Sequence, residues 1–165
     1  MKNLFHLNQV SLGLEITFNK AISIDQIEGT TEAVYNQAWQ MAKENGFTEI
    51  LRVWNFIPRI NEYTKGIENY QHFCKGRKAA YNQLLSHEEA FPAASAVGSL
   101  DLQIHFKFLF GHQKPIPISN RLQVEAYRYP SDYGPTPPSF SRASTLDSVV
   151  FVSGTASIRG HQTMF

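Results

Sequence analysis

The stretch Phe47-Thr-Glu-Ile-Leu-Arg-Val-Trp-Asn-Phe-Ile-Pro58 decides the fold that we predict for this chain. Residues 50–54 within it are nearly all apolar, which is typical of a strand covered on both faces. Proline lacks the backbone N–H that a central strand needs, so Pro58 marks the end of the strand. We therefore predict a central strand over residues 47–58, around which the other elements are arranged.

Helical patterns precede and follow this strand. Thr30 or Thr31 can cap a first helix that runs to about Asn45 and stops at Gly46. Its predicted buried stripe consists of Val34, Ala38, Met41 and Ala42, with Trp39 at one edge. A second helix is predicted over residues 67–85, with one face made of Tyr70, Phe73, Arg77, Tyr81 and Leu84.

Alternating apolar and polar residues predict further strands over residues 10–18, 100–110 and 121–129, and an apolar run predicts one over 148–158. The strand at residues 121–129 could pair antiparallel with the strand at residues 100–110. Residues 91–99 are small and are expected to lead into the 100–110 strand, and residues 111–120 form a proline-bearing turn. The order β, α, β, α, β, β, β indicates an α+β fold in one domain.

Composition excludes several classes of function. The net charge is +1 and no basic run exceeds two residues, so the chain shows no nucleic-acid footprint. The six histidines never fall in a ligand spacing such as His-x-x-x-His, which argues against a zinc site. No metal or cofactor site is predicted. The single cysteine, Cys74, suits a reducing compartment and is expected to be a buried, inert thiol. No signal peptide or membrane-length apolar run is present, so we expect a soluble cytoplasmic protein.

Arg77 lies in the middle of the aromatic stripe of the second helix. Its guanidinium could form a bidentate pair with a carboxylate in a neighbouring pocket. Alternatively, it is a structural arginine that pairs with a buried acid or lies along the surface. Glycine inside a helix costs about 1 kcal/mol relative to alanine. The presence of Gly76 therefore indicates close packing or close approach of a ligand at this point of the helix.

Residues 125–142 combine two arginines with three tyrosines on a strand and a proline-stiffened loop. Alternation places Tyr127 and Tyr129 on one face of the predicted strand, where tyrosine rings could pack a small cyclic substrate. Arg142 is a second candidate carboxylate contact. For the tyrosine segment, the alternative is an aromatic-rich sheet edge with a surface loop. For Arg142, the alternative is a surface charge at the end of a strand.

The small residues of Ser153-Gly-Thr-Ala-Ser157 let a ligand or another backbone approach closely. The lysine and glycine spacing of phosphate loops are absent, and no base accompanies the serines as acyl-enzyme chemistry requires. Tight packing of two sheet edges is the alternative explanation.

Six segments of the chain are distinctive when taken together and in order. They are Arg52-Val-Trp-Asn-Phe-Ile-Pro58, Asn69-Tyr-Gln-His-Phe-Cys-Lys-Gly-Arg-Lys-Ala-Ala-Tyr81, Pro92-Ala-Ala-Ser-Ala-Val-Gly98, Glu125-Ala-Tyr-Arg-Tyr-Pro130, Tyr133-Gly-Pro-Thr-Pro-Pro-Ser-Phe140 and Ser153-Gly-Thr-Ala-Ser-Ile158. These segments resemble the chorismatases, which include the FkbO-type enzymes and the related 3-hydroxybenzoate synthases. The resemblance runs from about residue 47 to the end of the chain.

The resemblance implies an enzyme that releases the enolpyruvyl group of chorismate as pyruvate, with no metal or organic cofactor. The other product would be a dihydroxycyclohexadienoate or a hydroxybenzoate. The implied fold is similar to the RidA/YjgF and chorismate-mutase-like unit, a mixed sheet with two helices packed on one face, as the first of two such units.

The resemblance also implies roles for individual residues. Arg77 would contact a substrate carboxylate, Tyr127 and Tyr133 would contact the ring or a carboxylate, and Arg142 would be a further substrate contact. Gly154 and Ala156 lie where family members differ in the small residues that shape product choice. No catalytic residue is assigned.

One departure from the family concerns the general acid, a glutamate that members carry in their second half beside another arginine. Glu125 is the last glutamate here. We therefore expect residues 1–165 to be an N-terminal domain from a truncated or split gene, inactive without the C-terminal half or a homo-oligomer partner. The alternatives are an autonomous RidA-like imine hydrolase and a non-catalytic ligand-binding or assembly module.

Overall fold

The computed structural model describes residues 4–85 and 91–164. Its strands and helices, in chain order, are β1 (Phe5–Val10), β2 (Gly13–Ala21), α1 (Ile27–Glu44), β3 (Glu49–Pro58), β4 (Tyr63–Thr64), β5 (Ile67–Glu68), α2 (Asn69–Leu84), β6 (Ala93–Ser99), β7 (Gln103–Gly111), β8 (Ile116–Ile118), β9 (Ala143–Leu146), β10 (Val149–Val152), β11 (Ile158–Arg159) and β12 (Gln162–Thr163).

A five-stranded mixed sheet in the order β1-β2-β7-β3-β6 forms the centre of the domain. β3 pairs antiparallel with β7 on one side and parallel with β6 on the other. A parallel pair needs a crossover connection, and α2 supplies it between β3 and β6. The predicted central strand is therefore confirmed. Residues 50–53 of its apolar run are buried, as expected for a strand covered on both faces, and Trp54 is half-buried.

Both helices pack on one face of this sheet, which confirms the predicted mixed sheet with two helices. The core between them is aromatic. Tyr35 of α1 packs edge-on against Phe106 and Phe108 of β7 and against Tyr81 of α2, with ring centroids 5.6, 4.9 and 5.5 Å apart. The alternation predicted for residues 100–110 is confirmed within β7, where Ile104, Phe106, Phe108 and Phe110 are buried. Leu102 has the same spacing, but it precedes the strand and is exposed.

Gly76 lies where α2 crosses α1. A Cβ at this position would meet the backbone oxygen of Glu28 at 2.2 Å. The glycine therefore permits close packing of the two helices, and its place in the helix does not require a ligand.

A second, three-stranded sheet in the order β10-β9-β8 covers part of the opposite face. Phe151 of β10 packs there against Leu51, Ala93 and Leu109. The edge of β6 is covered by two later segments, because Ala93 forms a parallel bridge with Ser141 and the Ala94 amide donates to Ser153 Oγ at 2.8 Å. These contacts bring residues 139–158 beside α2.

The strand predicted over residues 121–129 is wrong. The side chain of Asn120 accepts a hydrogen bond from the Leu122 amide and forms a turn, and residues Ala126–Arg128 form a 3-10 helix closed by the Arg128 amide on the Glu125 carbonyl at 2.9 Å. Local hydrogen bonds thus replace a sheet ladder that the alternating pattern alone favoured.

Other boundaries also differ from the predictions. The run 10–18 belongs to a β1–β2 hairpin, and α1 begins at Ile27, earlier than the predicted cap. Residues 93–99, predicted as a connector, form β6, and within the predicted strand 148–158 the first continuous strand is Val149–Val152. In the described ranges no helix is long and apolar enough to cross a membrane.

Candidate functional site

A cavity of about 310 Å³ lies between α2, the β6 edge, the loop that precedes β9 and the segment that follows β10. This volume is at the lower end of the range usual for small-molecule sites. It is lined by Glu68, Tyr70, Gln71, Arg77, Ala94, Ala96, Tyr129, Tyr133, Pro138, Phe140, Arg142, Gly154, Thr155, Ala156 and Ile158.

Five of the six residues predicted from the sequence line this one cavity: Arg77, Tyr133, Arg142, Gly154 and Ala156. The sixth, Tyr127, lies elsewhere. Its ring packs edge-on against Phe91 with centroids 5.6 Å apart, and it lines a separate cavity of about 470 Å³ beside β8. The 3-10 helix turns Tyr127 away from the side on which the predicted strand would have placed it.

Arg77 is 1% exposed, so a ligand reaches it only from within the cavity. Its guanidinium carbon lies 4.5 Å from the centroid of the Phe73 ring. Among the described residues, its Nε and Nη2 atoms have no hydrogen-bond partner, and no carboxylate pairs with it. A buried cation with unpaired donors is costly, and a bound carboxylate would supply the missing partner.

The surroundings of Arg77 keep it charged. Burial by itself lowers its pKa, but Cys74, Tyr35, Tyr70 and Tyr81 become anions at high pH, and their attraction for the guanidinium raises the pKa above the ordinary arginine value. Burial in turn raises the pKa of Cys74 and of all three tyrosines. At neutral pH the site therefore holds a guanidinium cation beside neutral hydroxyl and thiol groups.

Arg142, immediately before β9, is 7% exposed. Its Nη2 donates to the Val124 carbonyl at 2.8 Å and to the Tyr129 hydroxyl at 2.6 Å. Its Nε has no hydrogen-bond partner in the described part of the chain. The guanidinium is thus held in one orientation with a donor still unpaired.

Tyr133 is held through both its backbone and its side chain. Gln71 Nε2 donates to the Tyr133 carbonyl at 2.7 Å, and the Tyr133 hydroxyl is 3.1 Å from His161 Nδ1. Its ring centroid is 5.4 Å from that of Tyr129. The two tyrosines therefore present aromatic surface on the same side of the cavity.

The segment at Gly154 forms a wall with little bulk. The Ser153 amide donates to the Arg142 carbonyl at 3.0 Å, and the Gly154 amide donates to Ser95 Oγ at 3.0 Å. The segment therefore packs against the β6 edge, as one alternative expected, and it also lines the cavity, where contact with a ligand stays a prediction.

Sequence reasoning missed several lining residues, among them Glu68, Tyr70 and Gln71. Tyr70 carried a usable signal, because it lies seven residues before Arg77 on the predicted helical face. Glu68 directly precedes α2 and had no periodic signal, yet it is the one carboxylate among the described residues that line the cavity. No group of three or more His, Cys, Asp or Glu residues is placed to hold a metal ion within residues 4–85 and 91–164.

Comparison with known proteins assigns a family to this arrangement. Residues 8–110 match the family model described as chorismatase FkbO/Hyg5-like, N-terminal. The chain is 41% identical over 146 residues to a 3-hydroxybenzoate synthase of Streptomyces hygroscopicus, covering 81% of this chain and 42% of that protein. It is 34% identical over 142 residues to a chorismatase of Streptomyces rapamycinicus, and the match covers 81% of this chain and 42% of that protein.

A crystal structure of a chorismatase superposes with a TM-score of 0.88 at 30% identity, covering 99% of this chain and 51% of that chain. The chain therefore spans about half the length of the relatives that it matches, or less. The similarity also begins nearer the N-terminus than the six sequence motifs indicate.

Proposed function

Because the chain belongs to the chorismatase family, we propose that its cavity binds chorismate and forms part of a chorismatase active site. Chorismate is a small ring that carries two carboxylates. The observation that carries the proposal is the buried guanidinium of Arg77, which lines the cavity with two nitrogen atoms unpaired among the described residues.

Two cations on one cavity fit the two carboxylates of this substrate. Arg77 would hold one carboxylate and Arg142 the other, each through donors that are otherwise buried and unpaired. The rings of Tyr129 and Tyr133 would pack against the cyclohexadiene ring, and the Gly154 and Ala156 wall leaves room for it.

Release of pyruvate from an enol ether requires a positioned acid. Within the described part of the cavity wall, Glu68 is the one carboxylate, whereas the matched region makes up only 42% of the 3-hydroxybenzoate synthase, which has further chain beyond it. We propose that the acid comes from that further length, so that this chain binds chorismate but does not release pyruvate alone. The completing element would be a C-terminal half or a second copy of the chain.

Three further features belong to the same proposal. The fold is a RidA/YjgF-like and chorismate-mutase-like unit, the first of two in a full-length protein, which the mixed sheet with two helices on one face supports. The reaction uses no metal or organic cofactor. The location is cytoplasmic, for which the single buried thiol is the supporting observation.

Calorimetric titration with chorismate tests the proposal directly. Hydrogen bonds to charged groups contribute about 1.5–3 kcal/mol, so Arg77→Met and Arg142→Met should each weaken binding about 10- to 100-fold. Arg121→Met removes an exposed arginine and serves as the control, with unchanged affinity expected. Absence of chorismate binding by the wild type, or equal effects of all three substitutions, contradicts the proposal.

A coupled pyruvate assay separates binding from turnover. The chain alone should release no pyruvate above background, and addition of the remaining half of a full-length relative should restore release. If the chain alone is active, Glu68→Gln should abolish that activity, which would identify Glu68 as the acid. Imine hydrolysis without affinity for chorismate would instead favour an autonomous RidA-like enzyme.

A further inference from the structure

The small-residue wall of the cavity is held from behind by Ser95 on β6. Ser95 Oγ accepts a hydrogen bond from the Gly154 amide at 3.0 Å and another from Arg52 Nη2 at 2.5 Å. Side chains alternate along a strand, so Ser95 points to the face of β6 opposite to its neighbours Ala94 and Ala96, which line the cavity. The hydroxyl therefore joins the cavity wall to the other side of the sheet.

Arg52 of β3 is a buried cation with neutral partners. It is 5% exposed, its Nη1 donates to the Val53 carbonyl at 2.7 Å, and its guanidinium carbon lies 4.9 Å from the centroid of the Trp54 ring. No carboxylate in the described ranges pairs with it. A buried charge of this kind costs stability, which indicates that it has a role other than stabilising the fold.

There is no spare space between Ser95 and the wall. A Cβ built on Gly154 would lie 2.9 Å from Ser95 Oγ and 3.3 Å from Ser95 Cβ. The position of the Ser95 hydroxyl therefore fixes the position of the wall, and the hydrogen bond from Arg52 Nη2 holds that hydroxyl in place.

We propose that Arg52 and Ser95 are positioning residues that set the place of the Gly154 to Ala156 wall and thereby tune the affinity of the cavity for its ring-bearing dicarboxylate. Neither residue lines the cavity, so both act through Gly154. The part concerning affinity rests on the proposed function, whereas the part concerning the wall does not.

Amide hydrogen exchange measured by NMR tests the wall without any ligand. Ser95→Ala removes the acceptor of the Gly154 amide and should speed its exchange about tenfold or more, and Arg52→Met should speed it about threefold. Ser99→Ala, which removes a hydroxyl from the same strand that bonds to Asp101 and Gln103 carbonyls, should leave it unchanged. Unchanged exchange at Gly154 in both Ser95→Ala and Arg52→Met overturns the proposal.

Chorismate titration and thermal unfolding of the same variants test the effect on affinity. Arg52→Met should keep or raise the melting temperature, because it removes a buried charge, and yet weaken binding about tenfold. Ser95→Thr keeps the hydroxyl and should bind better than Ser95→Ala. Affinity that falls only together with melting temperature indicates a structural role and overturns the proposal. If the wild type does not bind chorismate, the proposed function fails, and the exchange measurement still decides whether this pair holds the wall.

Discussion

The side-chain amide of Gln71 donates a hydrogen bond to the backbone carbonyl of Tyr133 at 2.7 Å, across 62 residues of sequence. It fastens the proline-rich loop to the first turn of α2, the helix that also carries Arg77. Gly134 has a φ of 123°, and a Cβ there would lie 2.3 Å from Gln71 Cδ. The loop therefore approaches the helix as closely as a glycine allows, and this contact closes one side of the cavity.

Gly134→Ala should destabilise the protein by about 2–4 kcal/mol, since it combines backbone strain with displacement of a buried, hydrogen-bonded amide. Gly160→Ala is the control, because Gly160 also has a positive φ, 62°, but a Cβ there meets nothing within 4 Å. That variant should lose only about 1 kcal/mol. Urea unfolding of both proteins measures the difference, and equal losses would show that the contact with Gln71 contributes nothing.

The elements that the sequence predicted well are those in which local pattern and tertiary environment agree. β3 and β7 had a buried run and a clean alternation, and α2 had a continuous helical face. β6 was missed because its run of small residues has no period, and it becomes a strand only through parallel pairing with β3. The segment at 121–129 had the right period, but an Asn120 turn and a 3-10 helix satisfy its backbone locally.

The site shows the same division. Arg77 and Arg142 stood out because cations among aromatic residues are unusual, and the structure places both on one cavity. Glu68 and Gln71 could not be found from a pattern, since their place in the wall depends on where the loop lies against α2 after folding. Arg52 lay within a recognised motif, but its contact with Ser95 spans 43 residues and follows from the parallel pairing of β3 with β6.

Gly76→Ala should destabilise the fold by about 3 kcal/mol, because the new Cβ would overlap a backbone oxygen of α1 and push the two helices apart. Gly29→Ala is a matched control in α1, where a Cβ meets nothing within 4 Å, and should stabilise by about 1 kcal/mol through helix propensity. Thermal unfolding distinguishes the two. Stabilisation by both substitutions would contradict the close approach of α1 and α2 at Gly76.

Stability should fall steeply as the pH rises above about 10, the ordinary pKa of tyrosine. Burial raises the pKa of Tyr35, Tyr70 and Tyr81, so the folded state keeps these protons after the unfolded state has lost them. Because the folded state then binds more protons, its stability decreases with pH. Arg52 acts in the opposite sense, because burial lowers its pKa to about 10, and its contribution moderates the loss of stability only above that pH.

Tyr81→Phe isolates one of these groups. The Tyr81 hydroxyl is buried, with no partner at hydrogen-bond distance among the described residues, so its removal should leave stability at pH 7 unchanged or higher. Above pH 10 the variant should lose stability less steeply than the wild type. Urea midpoints measured from pH 7 to 11 provide the test, and parallel pH profiles would rule out a contribution of Tyr81.

Cys74 should be inert in the native protein. It is fully buried in α2, and burial raises the pKa of its thiol, so little thiolate is present or accessible at pH 8. Ellman's reagent should therefore react with it only after unfolding in urea, and the released chromophore then reports one thiol per chain. Rapid reaction in the absence of urea would show that α2 opens locally or that the thiol is accessible.

Of the two tyrosines in residues 125–129, Tyr129 should contribute to ligand binding and Tyr127 should not. The Tyr129 hydroxyl accepts a hydrogen bond from Arg142 at 2.6 Å and its ring lines the cavity, whereas Tyr127 packs against Phe91. Tyr129→Phe leaves the ring but frees one Arg142 donor, so chorismate affinity should change at least about threefold. Tyr127→Phe should leave it unaltered. Titration of both variants decides between the 3-10 geometry and the strand that the sequence pattern indicated, because a strand would make Tyr127 and Tyr129 equivalent in position and give both substitutions similar effects.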